Sequence, residues 1–441
     1  MDAEIGTRMG LPHRTGTQTA FLALCHHQSP CGLAAFDKNP LRQVMRSFLS
    51  LGLQSVFLAL AISVGQPAAI LHADEGTNPS DPYAHCPQDH PFRRGNDRAL
   101  LARGFNLPNW DPLYSGFKPD DALLSALKQQ GLQHIRLPVD GENLISAYHD
   151  ADHRRAYLDQ LDETVTRLVG LGFAVSVDMH PAGRFQKLHS MAPKRAFGQL
   201  QEAWQHVVER GRDWPREQVY FELLNEPTPP QNVWWPQAQK LISWLNDVDK
   251  GRRLVVGPAV FQRHEPLVES PPLKGDTIIY AIHFYDPFLF THQAMTWDEG
   301  SFMSRLKQLP FPGSIDHPAV QEQIRLFSAA GETDAVEEIR NAYGTPWDAV
   351  RIRDELSATA SWARQHRVAV IINEFGVLDF DVDRFARTDW LRAVRTAAES
   401  HCLGWAHWDF SDGFAMVNPE TTLPDPYVLE ALTAPSTSAK P

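Results

Sequence analysis

Residues 219–227 read Val-Tyr-Phe-Glu-Leu-Leu-Asn-Glu-Pro, and residues 370–376 read Val-Ile-Ile-Asn-Glu-Phe-Gly. Each is a short apolar run ending in a turn signal, and each delivers a glutamic acid where the run stops. Runs of this kind, apolar on both faces, are expected for strands buried in a parallel sheet. Working outward from these two, similar runs recur from Ala102 to Phe105, His134 to Leu137, Ala174 to Asp178, Leu254 to Gly257, Ile278 to Phe284 and Gly404 to Asp409, with the first two spanning Val219 to Leu224 and Val368 to Asn373. The strands number eight. Between them Pro119 to Gln130, Arg154 to Gly170, Arg195 to Arg210, Pro236 to Asp249 and Trp347 to Gln365 carry apolar residues at helical spacing. Only His264 to Leu273 is available to link the fifth and sixth strands.

Alternating strands and helices predict an α/β fold, and eight such units close best as a (β/α)8 TIM barrel with its chemistry on the loops after the C-terminal strand ends. The barrel is expected to be a single catalytic domain with a long loop after strand 6, from Asp286 to about Trp347. Its aromatic residues Phe288, Phe290, Trp297, Phe302 and Phe311 suggest an ordered wall of the cleft. No repeat, low-complexity linker or second domain is evident.

In a barrel the tips of strands four and seven face each other across the mouth, so Glu226 and Glu374 can flank one bond. Two opposed carboxylates, one neutral and one ionised, are the minimum equipment for cleaving a glycosidic linkage. Other strand ends supply Arg136, His180, His283, Tyr285 and Trp408. Arg136 and Tyr285 can keep a nucleophilic carboxylate ionised. Asn225 can bind a sugar 2-hydroxyl, His180 and His283 can donate to hydroxyls, and Trp408 offers a flat face to a pyranose ring. Taken singly, each histidine or tryptophan has a purely structural reading; together they form a coherent site. Glu222, inside the fourth strand, reads instead as a structural partner of a buried arginine or amide. Trp110, Trp234, Trp235 and Trp297 fall on predicted mouth loops and are candidates for stacking further sugar rings.

Six motifs now stand in order on the predicted strands: Ile135-Arg136-Leu137-Pro138, Asp178-Met179-His180, Leu224-Asn225-Glu226-Pro227, Ile282-His283-Phe284-Tyr285, Asn373-Glu374-Phe375-Gly376 and Trp405-Ala406-His407-Trp408. In these the sequence resembles glycoside hydrolase family 5, the cellulase family within the clan of retaining (β/α)8 glycosidases. The resemblance implies Glu226 as acid/base and Glu374 as nucleophile, with Arg136, His180, Asn225, His283, Tyr285 and Trp408 in the innermost sugar site. It implies no cofactor and no metal, retention of anomeric configuration, and carboxyl groups roughly 5 to 5.5 Å apart. The implied partner is a β-glucan or related polysaccharide or oligosaccharide. An endo-β-1,4-glucanase leads, with β-mannanase and β-1,3-glucanase as alternatives. A metal-dependent barrel hydrolase would normally show a His-x-His pair at the first strand, where this chain has Gly104-Phe105-Asn106-Leu107. A non-catalytic carbohydrate-binding barrel would usually have lost one carboxylate.

Composition bounds the rest. The 441 residues carry 41 Lys+Arg against 53 Asp+Glu, a net charge of −12, with no basic run interleaved with aromatics, which disfavours nucleic acid as a partner. The four cysteines, Cys25, Cys31, Cys86 and Cys402, contain no C-x-x-C pair, so no thiolate zinc ribbon or iron–sulfur site is expected. From Arg46 to Asp74 no charged residue intervenes, and the stretch after Met45 reads as a secretory signal with the mature start near Asp74. The 44 residues before Met45 are long for a signal's basic region, which leaves a mis-assigned start or an uncleaved membrane anchor through residues 47–73. The organisation expected is 1–73 as extension and signal or anchor, and 74–441 as the catalytic domain, secreted or periplasmic and monomeric. Export permits a disulfide between Cys86 and Cys402; two buried free thiols are the alternative.

Overall fold

A computed structural model of the protein describes residues 81–90, 101–114, 116–297 and 300–435. The leader and anchor readings lie outside the described residues. Eight strands, β1 (Arg103–Asn106), β2 (His134–Val139), β3 (Ala174–Met179), β4 (Val219–Glu222), β5 (Leu254–Val256), β6 (Ile278–His283), β7 (Ala369–Glu374) and β8 (Gly404–His407), pair in sequence order into a closed barrel. All pairings are parallel, and β8 returns to β1 through Arg103 opposite Trp405. This is the (β/α)8 TIM barrel expected from the sequence.

Side-chain alternation divides the strands into two sets. Phe105, Ile135, Leu137, Val175, Val177, Phe221, Ile372 and Trp405 join the core beneath the surrounding helices. Ala174, Tyr220, Val255, Ile279, Ala281 and Ile371 form a second cluster within the barrel, joined by Tyr83, Cys86, Leu101 and Cys402 at the N-terminal strand ends. The Tyr83 hydroxyl donates to the carbonyls of Ala102 and Leu403 at 2.7 and 3.0 Å, tying the plug to the starts of β1 and β8. The bottom of the barrel is largely apolar, with the buried pair His134 and Ser176 meeting at 2.7 Å among these side chains, and the charged inward residues are gathered toward the mouth.

The five helices read from periodicity are present at Asp121–Gln129, Ala151–Gly170, Pro193–Arg210, Gln231–Val248 and Ala349–His366. Aspartate side chains cap several of them, Asp120 accepting from the Leu123 N–H and Asp150 from the His153 N–H. A helix at Arg384–Ser400, capped by Asp383, completes the unit after β7, and Pro426–Thr433 follows β8. Only a turn at Ala259–Gln262 and the short helix His264–Val268 link β5 to β6.

The long connection after β6 differs from a loop. It contains two helices, Pro318–Ala329 and Thr333–Tyr343, and is closed at its base by a reciprocal bridge between Gly313 and Trp347. Phe290 and Phe311 pack on each other at 5.9 Å, and Phe302 on Phe327 at 5.7 Å. These aromatic side chains therefore fill the insertion's own core rather than facing the cleft. Its first turn does reach the site: the Thr291 hydroxyl donates to the Tyr285 carbonyl at 2.7 Å, and the His292 ring lies 5.0 Å from the Tyr285 ring.

Cys86 and Cys402 form a disulfide with Cα atoms 5.9 Å apart across 316 residues of sequence. Closing so long a loop restricts the unfolded chain strongly. Cys86→Ser is expected to lower the unfolding free energy by about 2–4 kcal/mol, read as a lower urea midpoint that reductant no longer changes. An unaltered midpoint would show that the bridge carries no stability.

Candidate active site

Everything at the mouth is arranged around Arg136, the inward residue of β2, which is wholly buried. Its Nε and Nη2 donate to the two oxygens of Glu222 at 2.7 and 2.8 Å. Nη1 donates to Asn106 Oδ1 at 2.9 Å and to Glu374 Oε1 at 2.6 Å, while Nη2 also meets Asn225 Oδ1 at 2.9 Å and Asp178 Oδ2 at 3.0 Å. Burial works against this charge, but Asp178, Glu222 and Glu374 outweigh it and hold the guanidinium's pKa well above its usual value. Glu222 also accepts from Asn373 Nδ2 at 2.7 Å, which fits the reading of this residue as a structural partner.

The two candidate carboxylates are presented by backbone irregularities. On β7 the pairing with β6 shifts register between Ile282 and His283, so that Glu374 rather than Asn373 comes opposite His283. A bulge of this kind re-aims a side chain, here placing Asn373 on Glu222 and the next residue at the mouth. On the β4 side Glu226 itself has φ 43°, in the left-handed region, and its backbone N–H donates to Gln262 Oε1 at 2.7 Å.

One oxygen of Glu226, one of Glu374 and a ring nitrogen of His283 lie within 4.8 Å of one another. The two carboxyl groups thus stand on either side of one imidazole, near enough to flank a single bond. The environments of the two carboxyl groups differ. Glu374 accepts from Arg136 and, through Oε2, from the Tyr285 hydroxyl at 3.0 Å. Burial raises the Tyr285 pKa well above the ordinary phenol value, so this hydroxyl stays a donor. Among the described residues no arginine or lysine touches Glu226, which is raised above the usual carboxylate value by burial, against smaller opposing influences from His180 and Arg136. Its nearest polar partner is His283 Nδ1 at 3.0 Å. Burial lowers His283 to about 4, which leaves a neutral imidazole whose Nδ1–H donates to that carboxyl group.

His180 is lowered to about 4, by burial first and Arg136 second. Its Nδ1 lies 2.7 Å from Asp178 Oδ2, and its Nε2 lies 3.1 Å from Asn225 Nδ2. Since Asn225 Oδ1 accepts from Arg136, its amide nitrogen must donate, so His180 accepts at Nε2 and carries its proton on Nδ1. Asp178 is raised to about 7 by burial, Arg136 opposing. The His180 ring stacks on Trp408, centroids 5.8 Å apart and 18° from parallel, leaving the half-buried indole at the mouth.

All eight residues singled out in the sequence thus meet in one place. Three of the four further tryptophans do not. Trp234 and Trp235 belong to the helix Gln231–Val248, buried, with indole N–H groups donating to the carbonyls of Gly257 and Pro271. The helix begins five residues before Pro236, and its apolar face carries both rings inward. Trp110 is buried and donates to the Pro138 carbonyl at 2.8 Å. Trp297 is half-buried, edge-on to His292 at 6.3 Å. Asn106, Asp178, Asn373 and Gln262 were not among the predicted site residues; the first three stand on strands beside residues that were.

The family description "Cellulase (glycosyl hydrolase family 5)" matches residues 95–411. The chain belongs to the cellulase family, glycosyl hydrolase family 5. Endoglucanase 3 of Fibrobacter succinogenes is 26% identical over 336 residues, covering 72% of this chain and 50% of that protein, so the chain spans about half of that relative's length. Endoglucanase C of Acetivibrio thermocellus is 23% identical over 320 residues, covering 70% of this chain and 90% of that one. Among solved structures, Cel5A of Thermotoga maritima in complex with mannotriose superposes with a TM-score of 0.61 at 22% identity, over 78% of this chain and 99% of that one, a likeness of fold.

Tyr285→Phe removes one donor from Glu374 while the ring keeps its packing on His292 and Phe414. A hydrogen bond to a charged group is worth about 1.5–3 kcal/mol, so turnover is expected to fall about 10- to 100-fold with little change in the melting temperature. An unchanged kcat would remove Tyr285 from the site.

Proposed function

We propose that this protein is a retaining endo-β-glucanase acting on β-1,4-linked glucan, with Glu226 as acid/base and Glu374 as nucleophile. The observation that carries the reading is the asymmetry between two closely spaced carboxyl groups, one bound by Arg136 and the Tyr285 hydroxyl, the other half-buried against His283 and raised in pKa. In the first step Glu374 attacks the anomeric carbon while the Glu226 carboxyl gives its proton to the departing glycosidic oxygen. In the second, the Glu226 carboxylate takes a proton from water, the resulting hydroxyl bonds to the anomeric carbon, and Glu374 is released. Two inversions give net retention.

The remaining residues have roles that follow from their chemistry. When the bond to the anomeric carbon breaks, its electron pair returns to Glu374, and Arg136 and Tyr285 stabilise the carboxylate by donating to it. Asn225 binds the 2-hydroxyl, whose hydrogen bond strengthens as the ring approaches an oxocarbenium ion. His180 and His283, read from the sequence as donors to sugar hydroxyls, spend their ring protons inside the protein: His180 on Asp178 while its Nε2 fixes the Asn225 amide, and His283 on the Glu226 carboxyl group; Trp408 supports the apolar face of the ring. A β-mannanase activity is a second reading, favoured by the likeness to a protein solved with mannotriose as well as with cellobiose. The protein is read as an exported monomer, in keeping with its disulfide, since such bonds persist outside the cytoplasm.

Carboxymethyl cellulose, glucomannan, laminarin and xyloglucan compared side by side, with product sizing, are expected to give mid-chain cleavage of the first two. Proton NMR of fresh product should show the β anomer first; initial α product would refute double displacement. Glu374→Gln should abolish turnover.

The pH dependence has a definite sign. The acid must hold its proton, so kcat/KM is lost as pH rises through the Glu226 pKa. Burial raises that pKa, which moves the alkaline limb above the ordinary glutamic acid value of about 4.3. A limb at or below that value would contradict the assignment.

A further inference from the structure

After β5 the chain runs Gly257-Pro258-Ala259-Val260-Phe261-Gln262-Arg263, and three consecutive residues without glycine's freedom adopt the left-handed region: Val260 at φ 58°, Phe261 at φ 57° and Gln262 at φ 52°. Such a run is sterically unfavourable, most of all at a β-branched valine. Burial of its apolar side chains does not compensate, because Val260 is 48% and Phe261 58% exposed. What the turn does accomplish is to send Gln262 the other way. That side chain is fully buried, and its Oε1 accepts the Glu226 N–H at 2.7 Å.

The surroundings are shaped for this amide. A Cβ on Gly257 would stand 2.3 Å from Gln262 Nε2, so only glycine leaves it room. The entry to the turn is fixed by the Ala259 N–H donating to Gln231 Oε1 at 2.7 Å, and the exit by Arg263, which pairs with Glu265 and Asp286. The contact ends on the left-handed backbone of Glu226. Strain on one strand loop therefore props strain on the next, and a strained segment held by its surroundings is the usual mark of a functional constraint.

We propose that Gln262 is a positioning residue for the acid, holding the Glu226 backbone in the left-handed region so that its carboxyl group lies against His283 and beside Glu374. The proposal rests on the reading of Glu226 as the acid/base. Without the acceptor, the Glu226 N–H loses its partner, the residue relaxes toward negative φ, and the carboxyl group swings off the line to the departing oxygen. Nucleophilic attack by Glu374 would be untouched, because its partners are Arg136 and Tyr285.

The test separates protonation of the leaving group from the rest of catalysis. Gln262→Met keeps the length of the side chain and removes the acceptor; Gln262→Asn keeps an amide too short to span to Glu226. Each is assayed on phenyl β-cellobioside, whose departing oxygen needs a proton, and on 2,4-dinitrophenyl β-cellobioside, which departs without one. For both variants kcat/KM on the phenyl glycoside is expected to fall about 10- to 100-fold, the range for a displaced acid, with the dinitrophenyl glycoside unchanged. Equal losses on both substrates, or none on either, would overturn the positioning role. Glu226→Ala is the control: the same split confirms the acid independently of Gln262, whereas equal losses in that variant would remove the acid assignment itself and the proposal with it.

Discussion

One buried guanidinium organises the mouth of this barrel. Arg136 holds both oxygens of Glu222 along the one edge formed by Nε and Nη2 and still reaches Asn106, Asn225, Asp178 and Glu374. A lysine could not take its place, since a single ammonium cannot match a two-point carboxylate contact and serve four other acceptors in a plane. Burying a charge is costly unless it is paired and its hydrogen bonds are complete, and here the carboxylates of β3, β4 and β7 converge to meet that requirement. The same pairing fixes the orientation of Glu374, so the demand that stabilises the polar interior also prepares the reactive group.

The electrostatic consequence is a division between two glutamic acids that lie within 4.8 Å of each other at their nearest oxygens. Arg136 touches one and not the other. Three carboxylates surround that one cation, and Asp178, raised to about 7 by burial against the opposing pull of Arg136, also accepts the His180 Nδ1–H. The neutral histidines on either side supply directional donors and acceptors without adding charge. The two groups thus differ in their surroundings according to which of them the arginine can reach.

Much of this was legible in the sequence because strand order determines barrel geometry. Once eight apolar runs are placed, a residue at the C-terminal end of any of them must stand at the mouth, and Arg136, His180, Asn225, Glu226, His283, Tyr285, Glu374 and Trp408 all do. Glu222, as an inward residue of β4, was likewise readable as a partner for a buried arginine. Tryptophans were not readable in this way. Trp234 and Trp235 lie where a loop and a helix start have the same local composition, and only the packing of Gln231–Val248 decides that they turn inward. The insertion after β6 was read as a loop because its proline, glycine and phenylalanine content masked two helices whose apolar faces pack on each other. Gln262 was invisible, because its role depends on a left-handed turn that no residue in Ala259–Gln262 favours.

In the proposed mechanism Glu374 alone attacks the anomeric carbon. Incubation with a 2-deoxy-2-fluoro-cellobioside bearing an activated leaving group, followed by peptide mapping by mass spectrometry, tests it directly, because the fluorine slows release of the covalent intermediate. A single glycosyl adduct on the peptide containing Glu374 is the predicted result. An adduct on Glu226 or Glu222 would contradict the account.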